Sequence, residues 1–269
     1  PLSFNLTAGF LIALITGSVI FGGLKRIAKV ASRIVPAMSL LYLGAAVTGL
    51  LLNLERVPGV FALIVEDAFT GRAAGGGALL AVILYGVQRG AYSNEAGIGT
   101  ESMAHGAAKT REPVREGLVA MLGPVIDTLL ICSATAFMIL LSGVWQTDGA
   151  GNGVTLTAAA FEQLLGTPGL VILFACVVCF AGTTILTYSF YGTQCASFLF
   201  GAHHSGHYRW AYLGFIIIAS VVTLEAAVSI IDGAFALMAI PTMTSALLLA
   251  PRVKAAAGRY FEALDGRGG

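Results

Sequence analysis

Ser93, Asn94, Glu95, Gly97 and Gly99 stand in the run SNEAGIG, in the middle of an otherwise apolar chain. These residue types suit recognition of a small charged solute. Glycine lets backbone approach a ligand closely. Ser and Asn side chains compete for backbone hydrogen bonds and unsettle a helix. The N–H and C=O groups freed in this way can then bind a ligand. Other polar groups fall inside apolar stretches. Asp127, in MLGPVIDTLLICS, has no basic residue within two helical turns. It can bind an ion, accept backbone donors or hold a proton. Thr183, Thr184, Thr187 and Ser189 cluster in FAGTTILTYSFYG. Hydroxyl oxygens suit a hard cation such as Na⁺, and each can instead bond back to the preceding turn. Glu101 and His105 are four residues apart, so a helix places them on one face. With Asp127 they offer an alternative, an intramembrane metal-dependent hydrolase. Against it, the chain has no H-E-x-x-H and no second histidine near His105.

The elements that must carry these residues are membrane helices. The chain is 57% hydrophobic and 11% charged, with a mean hydropathy of +0.86. A soluble domain has about 25% charged residues. Runs of about 20 apolar residues read as membrane spans. Seven are marked here: 4–24, 34–53, 75–108, 117–143, 167–200, 209–224 and 226–250. The third is longer than one straight span needs. Two half-helices around SNEAGIG use that length; the competing reading ends the span near Arg89 and makes SNEAGIG a loop. Broken membrane helices of this kind form substrate and ion sites in transporters. Glu95, beside the break, is then a functional candidate, since ionisable groups at membrane depth usually are.

Charge sets the orientation. Lys25, Arg26, Lys29 and Arg33 follow the first span; Lys109, Arg111 and Arg115 follow the third; Arg209 follows the fifth. Arg252, Lys254, Arg259 and Arg267 follow the seventh, so twelve of the fifteen basic residues lie on one side. That side reads as cytoplasmic. Residues 1–251 form the transmembrane core, and 252–269 read as a cytoplasmic tail. Glu225 and Asp232 fall toward the other face. A net charge of +1 gives no basis for nucleic-acid binding. Cys132, Cys176, Cys179 and Cys195 all lie in apolar runs and read as packing residues.

The run GAYSNEAGIGTESMAHGAAKTREPVREGLVAMLGPVIDTLLICSATA resembles the signature region of the alanine or glycine:cation symporter family. GGLKRIAKVASRIVPAMSLLYLG and FAGTTILTYSFYG share that resemblance. It implies an all-α polytopic protein with the leucine-transporter-like inverted-repeat fold, of which this chain holds core helices four to ten. The N-terminal helices, with the other broken segment, are then missing from this fragment. It further implies a secondary active transporter in the cell (inner) membrane that carries alanine or glycine with Na⁺, or with H⁺ in some members. No cofactor is implied, and the protein is expected to be monomeric. By motif position, Ser93, Asn94, Gly97 and Gly99 contact substrate. Thr183 and Thr184 ligate sodium, and Thr184 and Tyr188 line the substrate pocket. Family members often carry Trp where Tyr188 stands. Asp127 takes a second cation site or anchors a helix. A membrane fragment with no transport of its own is the third reading of the chain.

Overall fold

A computed structural model describes residues 2–69, 78–147, 149 and 151–266. Arg72, Asp148, Arg267 and the first residues of the third span, 75–77, lie outside the described residues. All regular structure among the described residues is helical, as a chain spanning hydrocarbon requires of its backbone. The helices are α1 (Leu2–Ile20), α2 (Gly23–Leu52), α3 (Val57–Phe69), α4 (Ala78–Asn94) and α5 (Thr100–His105). They are followed by α6 (Pro113–Ser142), α7 (Val154–Phe200), α8 (Ser205–Ala219) and α9 (Leu224–Asp265). Five of them, α1, α2, α6, α7 and α9, are long and apolar enough to cross a membrane.

The chain is a polytopic membrane protein, and its surface shows the same chemistry. Phe4, Leu40, Phe174 and Leu247 are fully or largely exposed, as are many other large apolar side chains. Water would not tolerate so large an apolar surface, whereas acyl chains solvate it.

The core lies where α2, α6 and α7 meet. Tyr42, Ala46, Met138, Phe161, Leu173 and Cys176 are buried there together. Tyr42 packs its ring against Phe161 and Phe180. Its hydroxyl shares a 2.5 Å hydrogen bond with Thr135 Oγ1, which satisfies the one polar atom it brings inside. Gly49 admits this packing: a Cβ there would stand 2.6 Å from Met138 Sδ. A second cluster, Ile20, Ile27 and Leu186, ties α1 and α2 to α7. Membrane helices lack a hydrophobic drive toward one another, so small residues set how closely they approach.

α7 is two helices joined at Gly166, whose φ of 67° and ψ of −161° are non-helical. Glycine accepts that conformation without a steric penalty, and Pro168 follows it. The kink divides the apolar helix Val154–Phe200 one residue before the position at which the sequence reading starts its fifth span. The 154–165 half is a separate helix that buries Ala160 and Phe161 in the core. α9 runs on to Asp265, so residues 252–265 are helical. None of its residues is buried.

Candidate functional site

α4 ends at Asn94, and α5 begins at Thr100. The five residues between them are the break. Glu95 has φ 57°, Gly97 φ 90° and Gly99 φ 94°. The two glycines take these values freely. Glu95 does not: positive φ is uncommon outside glycine, and such strain gathers at functional sites. Local bonds hold it in place. Asn94 Oδ1 accepts from Ala96 N–H at 3.0 Å, and Glu95 O accepts from Ile98 N–H at 3.3 Å. Thr100 Oγ1 donates to Glu95 Oε2 at 2.5 Å. Ile98 and Thr100 are buried, which anchors the far lip.

α6 supplies the opposing wall. Its middle, Val125–Cys132, is π-helical, a form seen mostly as short insertions at functional sites. Ser93 Oγ donates to Asp127 Oδ2 at 2.5 Å, and Asn94 Nδ2 donates to Thr128 Oγ1 at 3.0 Å. Thr128 Oγ1 also donates to Asp127 Oδ2 at 3.3 Å. The two polar residues closing α4 thus meet the two polar residues of the π-turn. Asp127 faces hydroxyl donors and no basic group within ion-pair distance among the described residues.

α7 forms the third side. Tyr188 and Tyr191 both interact with the Glu95 carboxylate, and their rings pack edge to face with centroids 5.5 Å apart. Thr184 lies one turn before Tyr188 on the same helical face. Cys195, two turns after Tyr188, contacts Met103 of α5. Thr183 is buried and donates to Cys179 O at 2.9 Å and Phe180 O at 3.0 Å. It borders an apolar groove shared with Thr16 of α1.

α9 backs the break. A Cβ on Gly99 would stand 2.7 Å from Thr242 Oγ1, and one on Gly97 would stand 3.4 Å from Met243 Sδ. Nearer the start of α9, Asp232 lies 3.9 Å from Arg89, and its carbonyl accepts from Tyr92 at 3.4 Å.

Ser93, Asn94, Glu95, Asp127 and Tyr191 open onto one cavity of about 260 Å³. That is below the roughly 300–1,000 Å³ typical of sites for drug-sized ligands. The cavity suits a small solute. Ser93, Asn94, Gly97, Gly99, Asp127 and Tyr188 are thus gathered around the break, with Thr184 on the face of Tyr188. Thr183 borders the α1 side instead. Thr128, Tyr191 and Thr242 are members of the site that the sequence did not single out. Thr128 carried one signal, its adjacency to the lone acidic residue of its span. His105 Nδ1 is 2.8 Å from Glu116 Oε1, so its partner is on α6. Among the described residues no cluster of three or more His, Cys, Asp or Glu is placed to hold a metal ion.

Comparison with known proteins gives this geometry its family. Residues 3–267 match the family described as the sodium:alanine symporter family. The uncharacterized transporter YflA of Bacillus subtilis is 42% identical over 265 residues, covering 96% of this chain and 56% of that protein. The sodium/alanine symporter AgcS of Methanococcus maripaludis is 35% identical over 246 residues, 91% of this chain and 54% of that one. The probable sodium/glutamine symporter GlnT of Bacillus subtilis is 36% identical over 257 residues, 95% and 54% of the two chains. The chain spans a little over half the length of each of these relatives. It belongs to the sodium:alanine symporter family.

Proposed function

We propose that this chain forms the C-terminal part of a Na⁺-coupled symporter for small neutral amino acids, alanine or glycine, working by alternating access in the cell membrane. The observation that carries this reading is the break itself, with Gly97 and Gly99 at positive φ and Ser93 bonded to Asp127 across it. An unwound helix at membrane depth is stable only where its freed backbone lines a cavity or meets protein groups. Here it does both. The amino-acid carboxylate binds to freed N–H groups of the break, Ser93 and Asn94 fix its position, and Tyr188 with Thr184 shapes the side-chain end. Thr183 and Thr184 offer hydroxyl oxygens to Na⁺. The Thr183 proton is already donated to backbone carbonyls, which leaves its oxygen lone pairs free for a cation. Asp127 serves a second cation. Because cation and substrate share this site, each raises the affinity for the other, as reciprocal coupling requires. The leucine-transporter-like inverted-repeat fold accounts for a broken helix at this place in the chain, and the basic linkers set the C-terminus in the cytoplasm.

Uptake of radiolabelled alanine by the full-length protein in sealed vesicles tests this. An inward Na⁺ gradient should drive accumulation, and collapse of the gradient should abolish it. Equal accumulation with either a Na⁺ or a proton gradient would replace Na⁺ by H⁺ as the coupling ion. Uptake indifferent to both would end the symport reading.

A further inference from the structure

α1 and α8 pack antiparallel. Gly9 lies against Ser220, Gly17 against Leu213, and the rings of Phe21 and Trp210 close the end with centroids 4.8 Å apart. Beside this seam runs an open groove of about 550 Å³. Its floor is apolar or small, with Ala13, Leu14, Gly17 and Leu213. Its end is cationic. Arg26 lines it, with its side chain folded over Gly22, where a Cβ would collide with it. Lys25 precedes Arg26 in the sequence, and Arg209, next to Trp210, lines a separate hollow with Leu24. Among the described residues no carboxylate forms an ion pair with Lys25, Arg26 or Arg209.

Three features fall in one order along the groove: an apolar floor, an aromatic pair and the unneutralised Arg26, with Lys25 next to it in the sequence. A phospholipid presents the same order as acyl chain, glycerol region and phosphate. Tryptophan favours the membrane interface, and basic pockets between membrane helices on the cytoplasmic side hold anionic headgroups. We propose that this groove binds one anionic phospholipid, with its phosphate at Arg26 and an acyl chain along Leu14, Gly17 and Leu213. The cations call for an anionic occupant, and the apolar floor calls for one with a hydrocarbon chain. The bound lipid neutralises the turn between α1 and α2 and covers the apolar floor of the groove. This inference needs only that the chain lies in a bilayer and does not rest on the transported substrate.

The test uses the full-length protein with every tryptophan except Trp210 replaced by phenylalanine. It is reconstituted in phosphatidylcholine vesicles containing brominated phosphatidylglycerol or, at equal mole fraction, brominated phosphatidylcholine. The anionic lipid should quench Trp210 fluorescence at a lower mole fraction, by about fivefold for each cation engaged. Arg26→Gln should remove that preference, and Arg26→Lys should retain it. Arg252→Gln with Lys254→Gln, in the C-terminal basic group, should leave it unchanged. Equal quenching by the two lipids in the otherwise unaltered protein would overturn the proposal without recourse to any variant. Loss of the preference on adding free glycerol phosphate would overturn it too, because the groove would then bind the headgroup alone. So would a Trp210 shielded from both lipids, since another protein surface would then cover the groove.

Discussion

Ser93 and Asp127 are 34 residues apart in the chain and 2.5 Å apart in space, with the hydroxyl donating to the carboxylate. This bond joins the last turn of α4 to the π-turn of α6. It positions a negative charge at the mouth of the break, with no basic side chain to cancel it among the described residues. A hydrogen bond to a charged group contributes about 1.5–3 kcal/mol. Asp127→Asn should therefore raise the Na⁺ concentration for half-maximal uptake by about tenfold or more. Ser93→Ala should act in the same direction and more weakly. The double variant should be no worse than Asp127→Asn alone, because the two groups act as one unit. Additive losses in uptake would place the two residues in separate roles.

Gly97 and Gly99 separate backbone strain from crowding. Both have positive φ, so a Cβ on either costs about 1–2 kcal/mol. Only Gly99 faces a fixed obstacle, Thr242 Oγ1, at 2.7 Å from the added atom; Gly97 would meet the pliable end of Met243 at 3.4 Å. Gly99→Ala should lower the thermal midpoint more than Gly97→Ala. Thr242→Ala should restore part of the loss at 99 and none at 97, as read by thermal unfolding in detergent.

Thr183 and Thr184 are neighbours that present different faces. Thr183 is buried and bonded to its own helix, whereas Thr184 is exposed one turn from Tyr188. If both oxygens reach the cation, Thr183→Val and Thr184→Val should each raise the half-maximal Na⁺ concentration by about tenfold, the cost of one charge-assisted contact. An effect confined to Thr184→Val would leave Thr183 a structural residue of the α1 side.

Tyr188 packs against Tyr191 and interacts with Glu95. Tyr188→Trp enlarges the ring and removes the hydroxyl. If residue 188 shapes the side-chain end of the substrate site, the ratio of glycine to alanine uptake should rise. Competition assays with unlabelled glycine and alanine give that ratio directly, and an unchanged ratio would remove residue 188 from the pocket.

The break was legible because its chemistry is local. Gly97, Gly99, Ser93 and Asn94 disfavour a helix whatever surrounds them. Gly166 and Pro168 are equally local, and the kink at Gly166 falls beside the start of the fifth span as read from the sequence. What depends on tertiary partners was not legible. VPGVFALIVEDAF falls between the second and third spans read from the sequence, yet it forms α3. The 154–165 helix owes its place to Phe161, which the core of Tyr42 and Met138 buries. The π-turn at Val125–Cys132 leaves no mark of its own in the run VIDTLLIC. Asp127 was visible as an isolated charge, but its partner Ser93 was not. The bond between them depends on how two helices cross, which periodicity within either helix does not record.

The account rests on the break and Asp127 forming one site shared by cation and amino acid. Its most direct test is alanine binding to purified full-length protein, by calorimetry, across a series of Na⁺ concentrations with and without Asp127→Ala. The account predicts that alanine affinity rises with Na⁺ in the unaltered protein and that this dependence weakens sharply in the variant. An identical Na⁺ dependence in the two proteins would contradict it.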